Sequence, residues 1–100
     1  MARALEFHPE AQEEFEAAAV RYAGIRASLG EAFLDRVEAA TARAVRGPMT
    51  GAPMGSSLRR VFVKRFPNFV LYAVEDSRIF VLAVAHFRQR PGYWRRRSVR

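Results

Sequence analysis

Two runs of residues, FVLYAV (69–74) and IFVLAVAHF (79–87), are apolar at odd and even positions alike. A strand sends alternate side chains to opposite faces, so a strand apolar on both faces belongs in the centre of a sheet. EDSR (75–78) between the runs reads as a hairpin turn. The chain is therefore built around a central antiparallel pair.

The flanking segments supply the rest. LRRVFVKRF (58–66) alternates, with Val61 and Val63 on one face and Phe62 on the other, and Pro67 and Asn68 turn the chain. Residues 2–8 hold a strand candidate in which Leu5 and Phe7 alternate with Glu6. A helix is predicted to follow. Pro9 suits its first position, where the missing N–H has no partner to lose, and Glu10, Glu13 and Glu14 favour the positive end of its dipole. Phe15, Ala18, Ala19 and Tyr22 recur at helical spacing. Ser28 and Glu31 match the capping-box pattern, which predicts a second helix from Ser28 to about Arg46. Its buried stripe is Phe33, Leu34, Val37, Ala40, Thr41, Ala44 and Val45. The Gly/Pro/Ser-rich link RGPMTGAPMGSS (46–57) ends the helical hairpin. The expected fold is α+β in the order β-α-α-β-β-β: a small antiparallel sheet with the N-terminal strand at its edge, packed against a helical hairpin. One hundred residues allow one domain.

Composition narrows the function. No apolar run approaches the roughly 18 residues of a membrane span, and the opening residues lack a signal-peptide pattern. No cysteine occurs, which excludes disulfides and thiolate metal sites and fits a cytoplasmic location. His8 and His86 do not form a ligand cluster by spacing, and no phosphate-binding glycine loop is present. No metal or cofactor is expected. Charge is unevenly spread. Residues 1–46 carry a net −2 and residues 47–100 a net +9. The segment HFRQRPGYWRRRSVR (86–100) holds six arginines and no acid. Charge alone leaves nucleic acid, a membrane surface or an acidic protein segment open as the partner.

Nearly the whole chain, about residues 3 to 95, resembles the RelE/ParE superfamily of type II toxin–antitoxin toxins. The resemblance rests on the HPEA helix start, on KRFPNFVLY, and on a last strand ending in His86 and Arg88 before Pro91 and Trp94. It implies a cytoplasmic, plasmid-stabilisation type toxin neutralised by a cognate antitoxin of ribbon-helix-helix type, with operator DNA bound only through that antitoxin. RelE-like members cleave mRNA in the ribosomal A site, whereas ParE-like members inhibit DNA gyrase by binding.

Metal-free RNA cleavage needs a base, cations for the phosphorane charge and an acid. The candidates here are Arg60, Lys64, His86, Arg88 and Tyr93. Against them, Phe69 stands where the nucleases tend to carry an arginine, and Trp94 stands about where their C-terminal tyrosine would be. The ParE-like branch is therefore favoured, with no catalytic residues of its own. A ribosome-dependent nuclease and a degenerate toxin that only binds antitoxin remain as alternatives. His86 reads as a strand-end histidine packed against the helices. The expected partner-binding residues are Arg59, Arg60, Lys64, Arg65, Arg88, Arg90, Tyr93, Trp94 and Arg95. Alternation would place Arg59 and Arg65 on one face and Arg60 and Lys64 on the other. Pro91-Gly92 would let the tail turn away from the sheet as a docking surface, with Trp94 as its anchor.

Overall fold

The computed structural model describes residues 3–55 and 57–97. Ala2, where the first strand was expected to begin, and residues 98–100 of the tail lie outside them. Strand β1 (Ala4–Phe7) leads into helices α1 (Pro9–Ile25) and α2 (Ala27–Arg46). After a 3-10 turn come β2 (Ala52–Met54), β3 (Leu58–Val63), β4 (Asn68–Val74) and β5 (Arg78–His86). The five strands form one sheet in the order β1-β5-β4-β3-β2. β3, β4 and β5 are the expected meander, and β4 and β5 are buried on both faces. The α+β order stands, with two refinements. β1 adds to β5 in parallel, because the whole hairpin intervenes and returns the chain in the same direction. The Gly/Pro-rich link contributes β2, a short edge strand whose Pro53 blunts it.

Local chemistry sets the helix ends. His8 caps α1: its Nδ1 accepts from the Glu10 N–H at 3.0 Å, and Pro9 follows as expected. The predicted capping box does not form. Arg26 alone separates the two helices, in an extended conformation, so α2 starts at Ala27 and Ser28 lies within its first turn. The Ser28 hydroxyl instead accepts from Arg26 Nε. The helices touch closely where Gly30 meets Ala23; a Cβ at position 30 would sit 2.7 Å from the Ala23 Cβ.

The inner core lies between the hairpin and the sheet. Phe33, Val37, Ala40 and Ala44 of α2 meet Val61, Val63, Val70, Tyr72, Ile79 and Val81. Each such large side chain contributes about 1.5–3 kcal/mol through burial. Phe15, Ala19 and Tyr22 pack against this core, whereas Leu34 of the expected stripe is exposed. A β-bulge between β4 and β5 re-phases the last strand: Leu71 pairs with Ala83 and Tyr72 with Val81, leaving Leu82 extra. Val84 consequently joins the inner core, and His86 lines a pocket with Ala17, Ala18 and Arg21 of α1.

Candidate functional site

The outer face of the sheet has a core of its own. Phe69, Leu71, Ala73, Phe80, Leu82 and Ala85 cluster there with Trp94, and Met54, Leu58 and Tyr93 pack on them. The tail therefore does not turn away at Pro91-Gly92. Gly92 takes a φ of 83°, a left-handed conformation that suits glycine, and the chain folds back across the sheet. Trp94 is 6 % exposed and meets Phe69 edge-on at 6.1 Å. Its ring is core here, which corrects its reading as a surface anchor. Tyr93 stacks edge-on against it, and the Tyr93 Oη is buried with no hydrogen-bond partner among the described residues. Burial first, and the nearby Glu14 carboxylate second, hold that hydroxyl well above the ordinary phenol range.

The tail also closes a strand edge. β1 pairs only with Arg78–Val81, so among the described residues no strand lies beside the edge of β5 beyond Val81. Glu14 Oε1 accepts from the Val84 N–H at 3.0 Å, and Arg97 Nη1 donates to the Leu82 carbonyl at 3.0 Å. The same two side chains grip each other at 3.0 and 2.8 Å. Gln89 Oε1 accepts from the His86 N–H. Side chains thus satisfy the edge that a strand would otherwise satisfy. Glu14 and Arg97 were not foreseen in these roles; Glu14 read as a dipole partner and Arg97 as part of a tail that docks on a partner.

The expected binding residues separate into groups. β3 ends at Val63, so strand alternation stops before Lys64, and Arg65 takes a φ of 70° in the following turn. The predicted pairing of Arg65 with Arg59 on one strand face is therefore replaced by a turn. Arg59 faces the hairpin side and donates to the Met49 and Gly51 carbonyls. Arg60 faces outward, its guanidinium 5.1 Å from the Phe62 ring centre and 5.3 Å from that of Phe69. Arg60 and Lys64 do share one shallow groove of about 440 Å³, together with Arg43, Thr50, Ala52, Val61 and Phe62. Arg88, Arg90 and Arg95 are exposed on the tail. His86 Nδ1 accepts from the Arg88 N–H at 3.0 Å, so one imidazole nitrogen is committed to the turn. Of the nuclease candidates, Arg60 and Lys64 share a groove; His86 lines a different pocket, and the Tyr93 hydroxyl is buried. Arg43 and the half-exposed Phe62 and Phe87 were missed as site residues; the apolar alternation of β3 was the available signal for Phe62.

Among the described residues, no group of three or more His, Asp or Glu side chains could hold a metal ion. No helix there is long and apolar enough to cross a membrane.

No curated protein matches the sequence. A solved chain described as "Chromosomal ParDE TA system from P. aeruginosa" superposes with a TM-score of 0.70, at 19 % identity, covering 85 % of this chain and 96 % of that one. This likeness shows a shared fold. The family model described as "ParE toxin of type II toxin-antitoxin system, parDE" matches residues 5–91, the full span from β1 to the start of the folded-back tail. The chain belongs to the ParE toxin family of type II toxin–antitoxin systems.

Proposed function

We propose that this ParE-family chain is a toxin that acts by binding, with DNA gyrase as its target, and that a cognate antitoxin neutralises it. The observation that carries the first part is the fate of the nuclease candidates. General acid–base cleavage needs its groups within hydrogen-bond reach of one scissile phosphate. Arg60 and Lys64 line one groove, whereas His86 faces α1 in another pocket. The Tyr93 hydroxyl is buried and holds its proton far above neutral pH. The exposed arginines of the tail, Arg88, Arg90 and Arg95, suit recognition of acidic partners instead.

The antitoxin reading rests on the family and on the hairpin. Ala19, Val20, Ala23, Ala27, Gly30 and Leu34 line a shallow, mainly apolar groove on its outer side with Glu31 as its one charged member, and Val20 there is 71 % exposed. An amphipathic antitoxin helix fits such a groove. The test of the target sets two assays side by side with purified protein. Supercoiling by gyrase should be inhibited, and mRNA on ribosomes should stay intact. Codon-specific A-site cuts that vanish on Arg88→Ala would replace this reading with the nuclease one.

A further inference from the structure

The groove beside β3 combines cations with exposed aromatic rings. Its cations are Arg43, Arg60 and Lys64, and among the described residues no carboxylate lines it. Arg60 Nε is buried without a hydrogen-bond partner among the described residues. Against the groove stands Phe62, 51 % exposed, and its ring meets the equally exposed Phe87 at 5.7 Å. Phe87 in turn stacks on Phe69 at 5.6 Å, so a short aromatic ladder runs from the groove onto the outer sheet face. Large apolar rings left in water beside unneutralised cations are a standing cost unless a partner covers both.

We infer that this surface binds single-stranded nucleic acid, with phosphates in the groove and bases on the phenyl rings. The chemistry separates this ligand from an acidic peptide. A peptide added to the free edge of β3 would need the Phe62 carbonyl, and Arg43 Nη2 already donates to that oxygen at 2.9 Å. A carboxylate-rich segment would use the cations and leave the rings uncovered. A single strand uses both, because every base has a face that stacks on an aromatic ring and every nucleotide brings a phosphate. A duplex keeps its bases inside and can offer the rings nothing. The inference does not depend on the identity of the toxin's target, because it concerns binding by the isolated protein.

The test is fluorescence anisotropy of a labelled 12-nucleotide oligothymidylate titrated with the full chain at several salt concentrations. Three neutralised phosphates give log K a slope of about −2 against log salt. Lys64→Glu, an exposed position, should weaken binding about tenfold and flatten that slope. Phe62→Ala should also weaken it about tenfold while leaving the slope unchanged, because stacking is not ionic. Arg21→Glu makes the same charge change on exposed α1 and should do less than Lys64→Glu. Circular dichroism of each variant confirms the fold. Equal affinity for poly-glutamate or for a duplex of the same length, with no effect of Phe62→Ala, would mark a general polyanion patch and overturn the inference. Absence of binding at low salt would also overturn it.

Discussion

Arg97 and Glu14 stand 83 residues apart in sequence and hold each other through two hydrogen bonds, at 3.0 and 2.8 Å. Glu14 sits on α1 and Arg97 on the folded-back tail, so the pair ties the outer covering of the sheet to the inner helical layer. Its energy comes less from charge than from coverage. The pair is only partly solvated, and each member also satisfies a backbone group of the β5 edge. Arg97→Ala leaves the Leu82 carbonyl and the Glu14 carboxylate without that partner. Charge-assisted hydrogen bonds of this kind are worth about 2 kcal/mol. Urea unfolding of Arg97→Ala should show a loss of that size, and Arg97→Lys should recover only part of it, since an ammonium cannot match the planar fork. An unchanged midpoint for Arg97→Ala would mean that the tail contributes nothing to stability.

Trp94 extends the same argument. With 6 % exposure, it closes the outer core against Phe69. Trp94→Ala should cost about 3–5 kcal/mol, the usual range for emptying a buried aromatic site. Truncation after Phe87 uncovers Phe80, Leu82 and Leu71 together and should leave a chain without a cooperative unfolding transition. Loss of toxicity in either variant then reports on folding, and calorimetry must accompany any growth assay. A truncated chain that unfolds cooperatively at the parental temperature would show the tail to be an accessory.

What the sequence revealed follows from which forces act locally. β4 and β5 were readable because both their faces are apolar, and α1 because Pro9 and the acidic first turn mark its start. The same double-sided pattern also required a second cover for the sheet. Tyr93 and Trp94 were the aromatics available to provide it, which was the unused signal for the folded-back tail. Other features were not local. The single-residue link at Arg26 defeated the capping-box reading, because a tight reversal can place Ser28 inside the helix. The bulge at Leu82 re-phases β5 by one residue and leaves no mark in an unbroken apolar run. The roles of Glu14 and Arg97 depend on where β1 stops, a property of the assembled sheet. At the site, the cations were legible by composition, but their division between the Arg59 loop contacts and the Arg60–Lys64 groove was not.

Gly51 carries a further prediction. Tyr72 is fully buried, and its hydroxyl donates to the Pro48 carbonyl at 2.7 Å, pinning the link over the end of the inner core. The backbone of the link can approach that closely because residue 51 has no side chain. A Cβ there would lie 2.3 Å from the Tyr72 Oη and 2.9 Å from the Arg60 carbonyl. Gly51→Ala should therefore cost about 1–3 kcal/mol through overpacking. Tyr72→Phe combined with Gly51→Ala should relieve part of the clash, so the double variant should be more stable than the sum of the single effects predicts. Strict additivity in the unfolding data would place the strain elsewhere.

Tyr93 makes stability depend on alkaline pH. Its hydroxyl has a raised pKa in the folded protein, from burial first and from Glu14 second, against a reference of 10.0 in the unfolded chain. Below pH 10 both states keep the proton and the contribution is whole. Above it the unfolded chain releases the proton while the folded one retains it, so stability falls as pH rises. Tyr22 and Tyr72 are raised in the same direction and add to the trend. The difference between the parent and Tyr93→Phe isolates one residue. Phenylalanine should cost little at neutral pH, since the hydroxyl it removes is buried with no hydrogen-bond partner among the described residues, and it should flatten the decline above pH 10. Superimposable pH profiles for the two proteins would mean that the ring opens to solvent before it ionises.

The hairpin groove offers the most direct test of antitoxin neutralisation. Val20 and Leu34 are 71 % and 44 % exposed on adjacent helices, and Ala23 and Gly30 between them keep the surface shallow. Replacing both large residues by glutamate should leave the fold intact, because neither supports the inner core and glutamate is a good helix former. The same change puts two charges where an apolar helix face would have to lie. Burying an unpaired carboxylate is costly enough that antitoxin affinity should drop by at least about tenfold, or 1.4 kcal/mol. Isothermal titration of Val20→Glu/Leu34→Glu against the cognate antitoxin, with Lys64→Glu in parallel, separates the hairpin from the basic groove. A drop with the first protein and none with the second places the antitoxin on the helices and leaves the groove for another ligand. The opposite result would move the antitoxin to the β3 groove and make it a competitor for any nucleic acid bound there.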